Sequence, residues 1–437
     1  MLPVEHFANI LIIVVFSARI HYNHSIYLLE PGGNMPLFIG RQPILDRAQK
    51  TFGYELLFRG GMENVFENQD SDQASLSVID TTFGHMGIQQ ITSGKKAFIN
   101  FTRNLLLQDF ALLLPSDRLV IEMLETIEPD AEIISACQKL KGRGYMIALD
   151  DFQYRPEYEP LFQYADIIKV DISLVAKEDW PQYAEIFLPR KIQLLAERVE
   201  TLDQFEQTKK LGFTYFQGFF FSQPVVLEAE KPPASKIAKI QLLQEVNRPD
   251  FDINRAEVII KHDPTLSWKL FRYINSAIFG FRHEIKSIRQ ALALLGEKNI
   301  RRWAIILILG SIAEDKPAEL LRQAIVRARL CELLAEPAGL NQQDQELFMT
   351  GLFSHLDTMM NQPMESLLAD MQIDSEVKAT LLGQATPYQD ILSVTKSCEC
   401  GDFDHLAKLL REHEIQEEKL PLLQQQAFTW ADELAPV

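Results

Sequence analysis

The chain has 437 residues, 47% hydrophobic and 24% charged, with a formal charge of −17, which predicts two soluble domains and excludes a disordered chain. That charge, with no basic stripe to offset it, excludes a nucleic-acid polymer as a general partner. Four scattered cysteines, Cys137, Cys331, Cys398 and Cys400, exclude a disulfide framework and point to a cytoplasmic setting.

Residues 1–34 read as an N-terminal extension upstream of a start at Met35. Their apolar run 7–16, FANILIIVVF, falls short of the roughly 20 residues a spanning helix needs. Glu5 and His6 precede it, where a signal peptide would carry basic residues.

Over residues 35–228 short apolar runs alternate with amphipathic stretches, the pattern of an α/β domain with mostly parallel strands. The runs are 97–100, 119–122, 145–151, 167–171, 192–197 and 213–217, and each ends on a polar or charged residue. In a parallel barrel the carboxyl ends of the strands open onto one face. Glu55, Asn100, Glu122, Asp150, Asp151, Lys169, Asp171, Glu197 and Gln217 are therefore expected to converge there.

Taken singly, a strand-end carboxylate reads best as an ion-pair partner or a helix cap. Gathered together, these groups would repel one another and take up protons unless cations neutralised them. Oxygen donors without cysteine or histidine favour magnesium or manganese over zinc or copper. Two such ions can orient a water and hold the attacking and leaving oxygens of a phosphodiester. Lys169 and Asp171, two residues apart, share one side of a strand, which lets Lys169 meet a phosphate or polarise the water.

Residues 54–59, YELLFR, resemble the signature segment of the EAL family of cyclic di-GMP phosphodiesterases, with Leu56 in place of alanine. Further motifs follow in that family's order: Asn100, EMLE at 122–125, DDF at 150–152, KVD at 169–171, ERVET at 197–201 with Arg198 in place of glycine, and QGFFFSQP at 217–224. The resemblance implies a TIM-like (β/α)8 barrel holding two magnesium or manganese ions. It implies metal ligation by Glu55, Asn100, Glu122, Asp150, Asp151 and Asp171, and catalysis by Lys169 and Glu197. By the same resemblance Arg59 and Gln217 bind substrate and Glu125 supports a loop. After DDF the family carries a small-residue, glycine-rich loop that arranges the second metal and joins dimer contacts. Residues 153–158 read QYRPEY instead, and tyrosine and proline cannot follow the path glycine allows.

Residues 229–236, AEKPPASK, read as a linker, and 237–437 as a helical domain. Asp263 before Pro264 makes a helix start, and Ser287 with Gln290 a capping box ahead of a helix that Gly296 stops. Residues 257–309 resemble the HDOD domain, a helical relative of metal-dependent HD phosphohydrolases that lacks their metal site. His355 and Asp357 are separated by Leu356 where an HD pair would be adjacent, so no metal is expected there.

An EAL domain followed by an HDOD domain resembles the YuxH-like group of bacterial signalling proteins. The resemblance implies hydrolysis of cyclic di-GMP to linear pGpG by a two-metal mechanism, with the state relayed through the HDOD domain to a protein partner, and a homodimer. The alternative is a catalytically weak or inactive EAL domain that serves as a cyclic di-GMP sensor or protein-binding adaptor.

Overall fold

A computed structural model describes residues 37–60, 88–152, 154–222, 252–262, 264–275, 279, 285–313, 316–369, 371 and 373–434. The extension at 1–34, the linker at 229–236, Gln153 and Asp263 lie outside the described residues.

Eight strands close into a barrel in chain order: β1 (Leu37–Asp46), β2 (Thr51–Gly60), β3 (Lys96–Phe101), β4 (Leu119–Met123), β5 (Met146–Leu149), β6 (Ile167–Asp171), β7 (Gln193–Glu197) and β8 (Tyr215–Gln217). From β2 to β8 neighbouring strands are parallel, but β1 runs antiparallel to both β2 and β8. The TIM-like barrel is thus closed through a hairpin and is not a strict (β/α)8 repeat. Asp46 makes the turn, its Oδ1 accepting from the Ala48 and Lys50 amides at 2.8 and 2.9 Å. Pro43 in β1 faces Tyr54 on β2 and lies beyond the β8 ladder, which starts at Ile44, so its missing N–H breaks no β1–β8 pairing.

Alternation along the strands sorts side chains into two cores. Ile44, Phe98, Val120, Ala148, Ile167, Leu195 and Tyr215 pack together inside the barrel. Their strand neighbours Leu45, Ile99, Ile121, Ile147, Ile168, Leu194 and Phe216 join a larger core outside it. Gly53 leaves room for this floor, since a Cβ there would meet the Phe98 ring at 2.9 Å.

Around the barrel lie α1 (Ile88–Ile91), α2 (Arg103–Leu107), α3 (Ala131–Gly142), α4 (Trp180–Phe187) and α5 (Leu202–Leu211). The helical region follows with α6 (Ile253–His262), α7 (Pro264–Ile274), α8 (Ile288–Ile312), α9 (Ala318–Leu334), α10 (Asp344–Phe353), α11 (Leu356–Met360), α12 (Met364–Ala369), α13 (Ser375–Leu381), α14 (Pro387–Cys400), α15 (Phe403–Glu412) and α16 (Leu420–Leu434). Ser287 caps α8 by accepting from the Gln290 amide, but α8 does not stop at Gly296: at φ +70° and ψ 165° that residue kinks the chain and the helix resumes. Among the described residues no helix is long and apolar enough to cross a membrane.

Helices α6 to α8 keep a core of their own around Leu266, Leu270, Leu292 and Trp303. The later helices share one continuous apolar core with the outer face of the barrel. Polar contacts pin that junction. Glu319, at the start of α9 and only 4% exposed, accepts from the Tyr54 hydroxyl at 2.7 Å and the Thr51 hydroxyl at 3.3 Å, with the Arg41 guanidinium 3.8 Å away. Arg41 lies between the Tyr54 and Phe428 rings, 4.0 and 4.6 Å from their centroids, and donates to the Ile91 carbonyl at 2.6 Å.

Candidate active site at the barrel mouth

Two residues beyond each member of the apolar floor, towards the carboxyl ends of β2 to β8, the same inward face becomes polar. Phe98 gives way to Asn100, Val120 to Glu122, Ala148 to Asp150, Ile167 to Lys169 and then Asp171, Leu195 to Glu197, and Tyr215 to Gln217. On β2 the inward residue is Glu55, between the outward Tyr54 and Leu56. Because β1 is antiparallel, its contribution lies two residues before Ile44, at Gln42. The ladder holds the set in register, pairing Asn100 with Glu122, Asp171 with Glu197 and Gln42 with Glu55. Asp150 follows the end of β5, and its amide is tied to the Met123 carbonyl at 2.9 Å.

Lys169, fully buried, is the hub. Its Nζ lies 2.6 Å from Asp150 Oδ1, 2.8 Å from Glu122 Oε1, 3.1 Å from Glu197 Oε1 and 3.4 Å from Glu55 Oε2. Burial works against its charge, but Glu122, Glu197, Glu55 and Asp150 outweigh that and hold its pKa well above the usual lysine value. One ammonium cannot neutralise four carboxylates. Burial drives Glu122 well above the usual carboxylate range despite Lys169. Glu197 is pushed up to about 8 by burial and by Asp150 and Glu55, against the pull of Lys169.

Asn100 Oδ1, Glu122 Oε2, Glu197 Oε2 and Gln217 Oε1 are buried acceptors with no hydrogen-bond donor. Unsatisfied oxygens and surplus negative charge suit a hard divalent cation, and in donor type Glu55, Asn100, Glu122 and Asp150 fit one. Against this, among the described residues no group of three or more His, Cys, Asp or Glu converges as a ready metal shell. The Lys169 ammonium sits among these carboxylates instead.

Asp171 and Asp151 are placed differently. Asp171 Oδ1 accepts from the Ser173 amide at 2.8 Å and hydroxyl at 2.6 Å, while Oδ2 lies 3.0 Å from Arg198 Nε. Arg198 adopts φ +53°, the left-handed backbone that favours the glycine it replaces. Asp151 is exposed, at φ +41°. Asp171 is thus satisfied at Oδ1 by Ser173 and ion-paired at Oδ2, which has no hydrogen-bond donor, while Asp151 is turned to the rim.

Arg59 is on β2, with its side chain outside the described residues. Glu125 is exposed, and it is its carbonyl that accepts from the Tyr158 hydroxyl, at 2.9 Å. That bond holds the short 3-10 turn Pro156–Leu161, which follows Phe152 in the stretch whose sequence departs from the family's glycine-rich loop. In the helical region His355 is buried beside Arg327 and Lys396, and burial with those two cations holds its pKa well below the usual value. Two residues escaped the sequence reading. Gln42 was missed because β1 carries no clean apolar run, although its offset from Ile44 is the same as elsewhere. Arg198 was noted as a departure, but its ion pair was not foreseen.

The EAL domain family model matches residues 62–224 and the HDOD domain model residues 232–380. The cyclic di-GMP phosphodiesterase CdgJ of Vibrio cholerae is 34% identical over 369 residues, which cover 84% of this chain and 85% of that protein. The uncharacterized protein YuxH of Bacillus subtilis is 33% identical over 383 residues, covering 86% of this chain and 93% of its own. An EAL domain protein from Listeria monocytogenes is 20% identical with a TM-score of 0.37, over 43% of this chain and 87% of that one, a likeness too slight to bear on the site. With a third of its residues shared across most of two relatives, and both domains matched in order, the chain belongs to the family of proteins that join an EAL domain to a following HDOD domain.

Proposed function

We propose that this protein binds cyclic di-GMP at the barrel mouth and hydrolyses it to linear pGpG, in the cytoplasm, with two magnesium or manganese ions. The observation that carries this reading is the ring of buried Glu55 and Glu122 and half-buried Asp150 and Glu197 around Lys169, with unsatisfied acceptors at Asn100, Glu122 and Glu197. Kinship with CdgJ, named as a cyclic di-GMP phosphodiesterase, supports the substrate.

When bound, the ions would lower the pKa of the attacking water and neutralise phosphate charge. Glu55, Asn100, Glu122 and Asp150 would hold the first, and Asp151 and Asp171 the second. Lys169 supplies a fixed positive charge to the water and the developing oxyanion. Glu197 keeps Lys169 oriented. Arg59 is proposed to bind phosphate and Gln217 the substrate, and Glu125 to support the loop. The helical region is proposed to engage a protein partner, and the chain to act as a homodimer.

A second reading, a nucleotide-binding adaptor without turnover, draws support from the Arg198–Asp171 pair and the turn at Pro156–Leu161. Incubation of the purified protein with cyclic di-GMP and manganese separates the two. Linear dinucleotide is expected. Binding without product would favour the adaptor, and absence of both would end either reading.

A further inference from the structure

The side chain of Gln42 joins the mouth of the barrel to the helical region. Its Nε2 donates to the Cys400 carbonyl at 3.1 Å and its Oε1 accepts from Gln217 Nε2 at 2.8 Å. The same Gln217 nitrogen donates to Glu55 Oε2 at 2.7 Å. Cys400 is the last residue of α14, so its carbonyl is one of those a helix leaves without an internal partner. Gln42 supplies that partner from the barrel.

The junction is built for close approach. Gly401 ends α14 at φ +72°, and a Cβ there would come within 2.7 Å of Leu57 Cδ1. A Cβ on Gly40 would lie 3.1 Å from the Gly401 Cα. Backbone therefore meets backbone where β1 passes the end of α14, two residues from Gln42.

An amide side chain has one accepting and one donating end, and its neighbours decide which way it points. A backbone carbonyl only accepts, so Cys400 fixes the Gln42 nitrogen towards α14 and the Gln42 oxygen towards Gln217. Gln217 must then offer its nitrogen to both Gln42 and Glu55, which leaves its Oε1 as the buried acceptor without a donor. Without the Cys400 carbonyl the Gln42 nitrogen loses its acceptor, and Gln42 is held only through the Gln217 nitrogen, itself aimed by the Glu55 carboxylate. If Gln42 turned over, nitrogen would face nitrogen, or Gln217 would turn its oxygen onto the Glu55 carboxylate.

We propose that the end of α14 sets the orientation of Gln217, and through it the position of Glu55, by way of Gln42. Gln42 is thus a positioning residue, and docking of the helical region on β1 is a condition for cation binding at the barrel mouth. A partner that lifts α14 from β1 would switch the site off without touching it. The inference rests on the function proposed above.

The test is manganese titration of the full chain, with free ion followed by electron paramagnetic resonance, for wild type, Gln42→Met, Gly401→Ala and the double variant. Gln42→Met keeps the volume and removes both bonds. It should weaken manganese binding about tenfold, the usual size of effect when a ligand loses its hydrogen-bonded support. Gly401→Ala, at a residue that is not itself a ligand, should weaken binding in the same direction. It should add nothing in the Gln42→Met background, because the relay is already broken. Leu57→Ala, which makes room for the new methyl, should restore part of the loss. Wild-type affinity in a folded Gln42→Met protein would overturn this inference alone, as would a full additional loss in the double variant. If Gln42→Met does not fold, unchanged affinity in Gly401→Ala overturns it. Failure of the wild type to bind manganese would overturn the proposed function and this inference together.

Discussion

Replacing Glu319 with leucine tests whether the helical region is docked on the barrel in solution. The two side chains are similar in size, so the change removes the carboxylate without opening a large cavity. Three groups lose a partner: the Tyr54 hydroxyl, the Thr51 hydroxyl and the Arg41 guanidinium. Stranding one partner of a buried ion pair costs about 3–5 kcal/mol. Arg41 retains the Ile91 carbonyl and the faces of Tyr54 and Phe428, which places the cost near the lower end, about 3 kcal/mol. Tyr54→Phe in the same background isolates the hydrogen bond. A bond to a charged acceptor contributes about 1.5–3 kcal/mol, and that should be the coupling energy of the double-mutant cycle. Urea unfolding of the full chain, followed by circular dichroism and tryptophan fluorescence, gives the four stabilities. If Glu319→Leu stays within about 0.5 kcal/mol of wild type, the range of an ordinary surface substitution, α9 does not seat on Tyr54 as described.

Lys169→Met strands four buried or half-buried carboxylates, so the metal-free protein should lose about 3–5 kcal/mol; manganese should then raise its melting temperature more than it raises that of wild type, and an equal shift would count against a shared site. Arg198→Gly frees Asp171 and relieves a left-handed backbone, so calorimetry should show tighter manganese binding; unchanged affinity would mean the Arg198–Asp171 pair does not hinder a cation. His355 is held neutral in the fold, while the unfolded chain takes up its proton below about pH 6.5. Stability from this group is therefore present above that pH and lost as pH falls, by up to about 1.4 kcal/mol per unit. Urea midpoints at pH 5 and pH 8 should differ less in His355→Gln than in wild type, and equal differences would refute the assignment.

Much of the site was legible from strand pattern. The runs ending at Asn100, Glu122, Asp150, Asp171, Glu197 and Gln217 are short, apolar and bounded, and period-two alternation carries each terminal polar residue to the inward face above the floor. Their order along the chain made the family resemblance specific, because several motifs had to agree at once. The helix signals at Ser287 and Pro264 were equally local, since capping involves atoms within one turn.

The rest depended on contacts between residues far apart in sequence. In β1, Arg41, Gln42 and Pro43 interrupt the apolar pattern, and nothing local says that the strand runs against its neighbours. Its pairing with both β2 and β8 does, and only that places Gln42 beside Glu55. Arg198 read as a missing glycine. Its meeting with Asp171 requires β6 and β7 to lie side by side. The docking of α9 and α14 on the hairpin pairs Glu319 with Tyr54 and the Cys400 carbonyl with Gln42 across separations of 265 and 358 residues. Local propensity and alternation determine which way a side chain points from its own strand. Which buried charge it meets is decided when the barrel closes, because a polar group taken out of water must find its partner wherever the fold brings one.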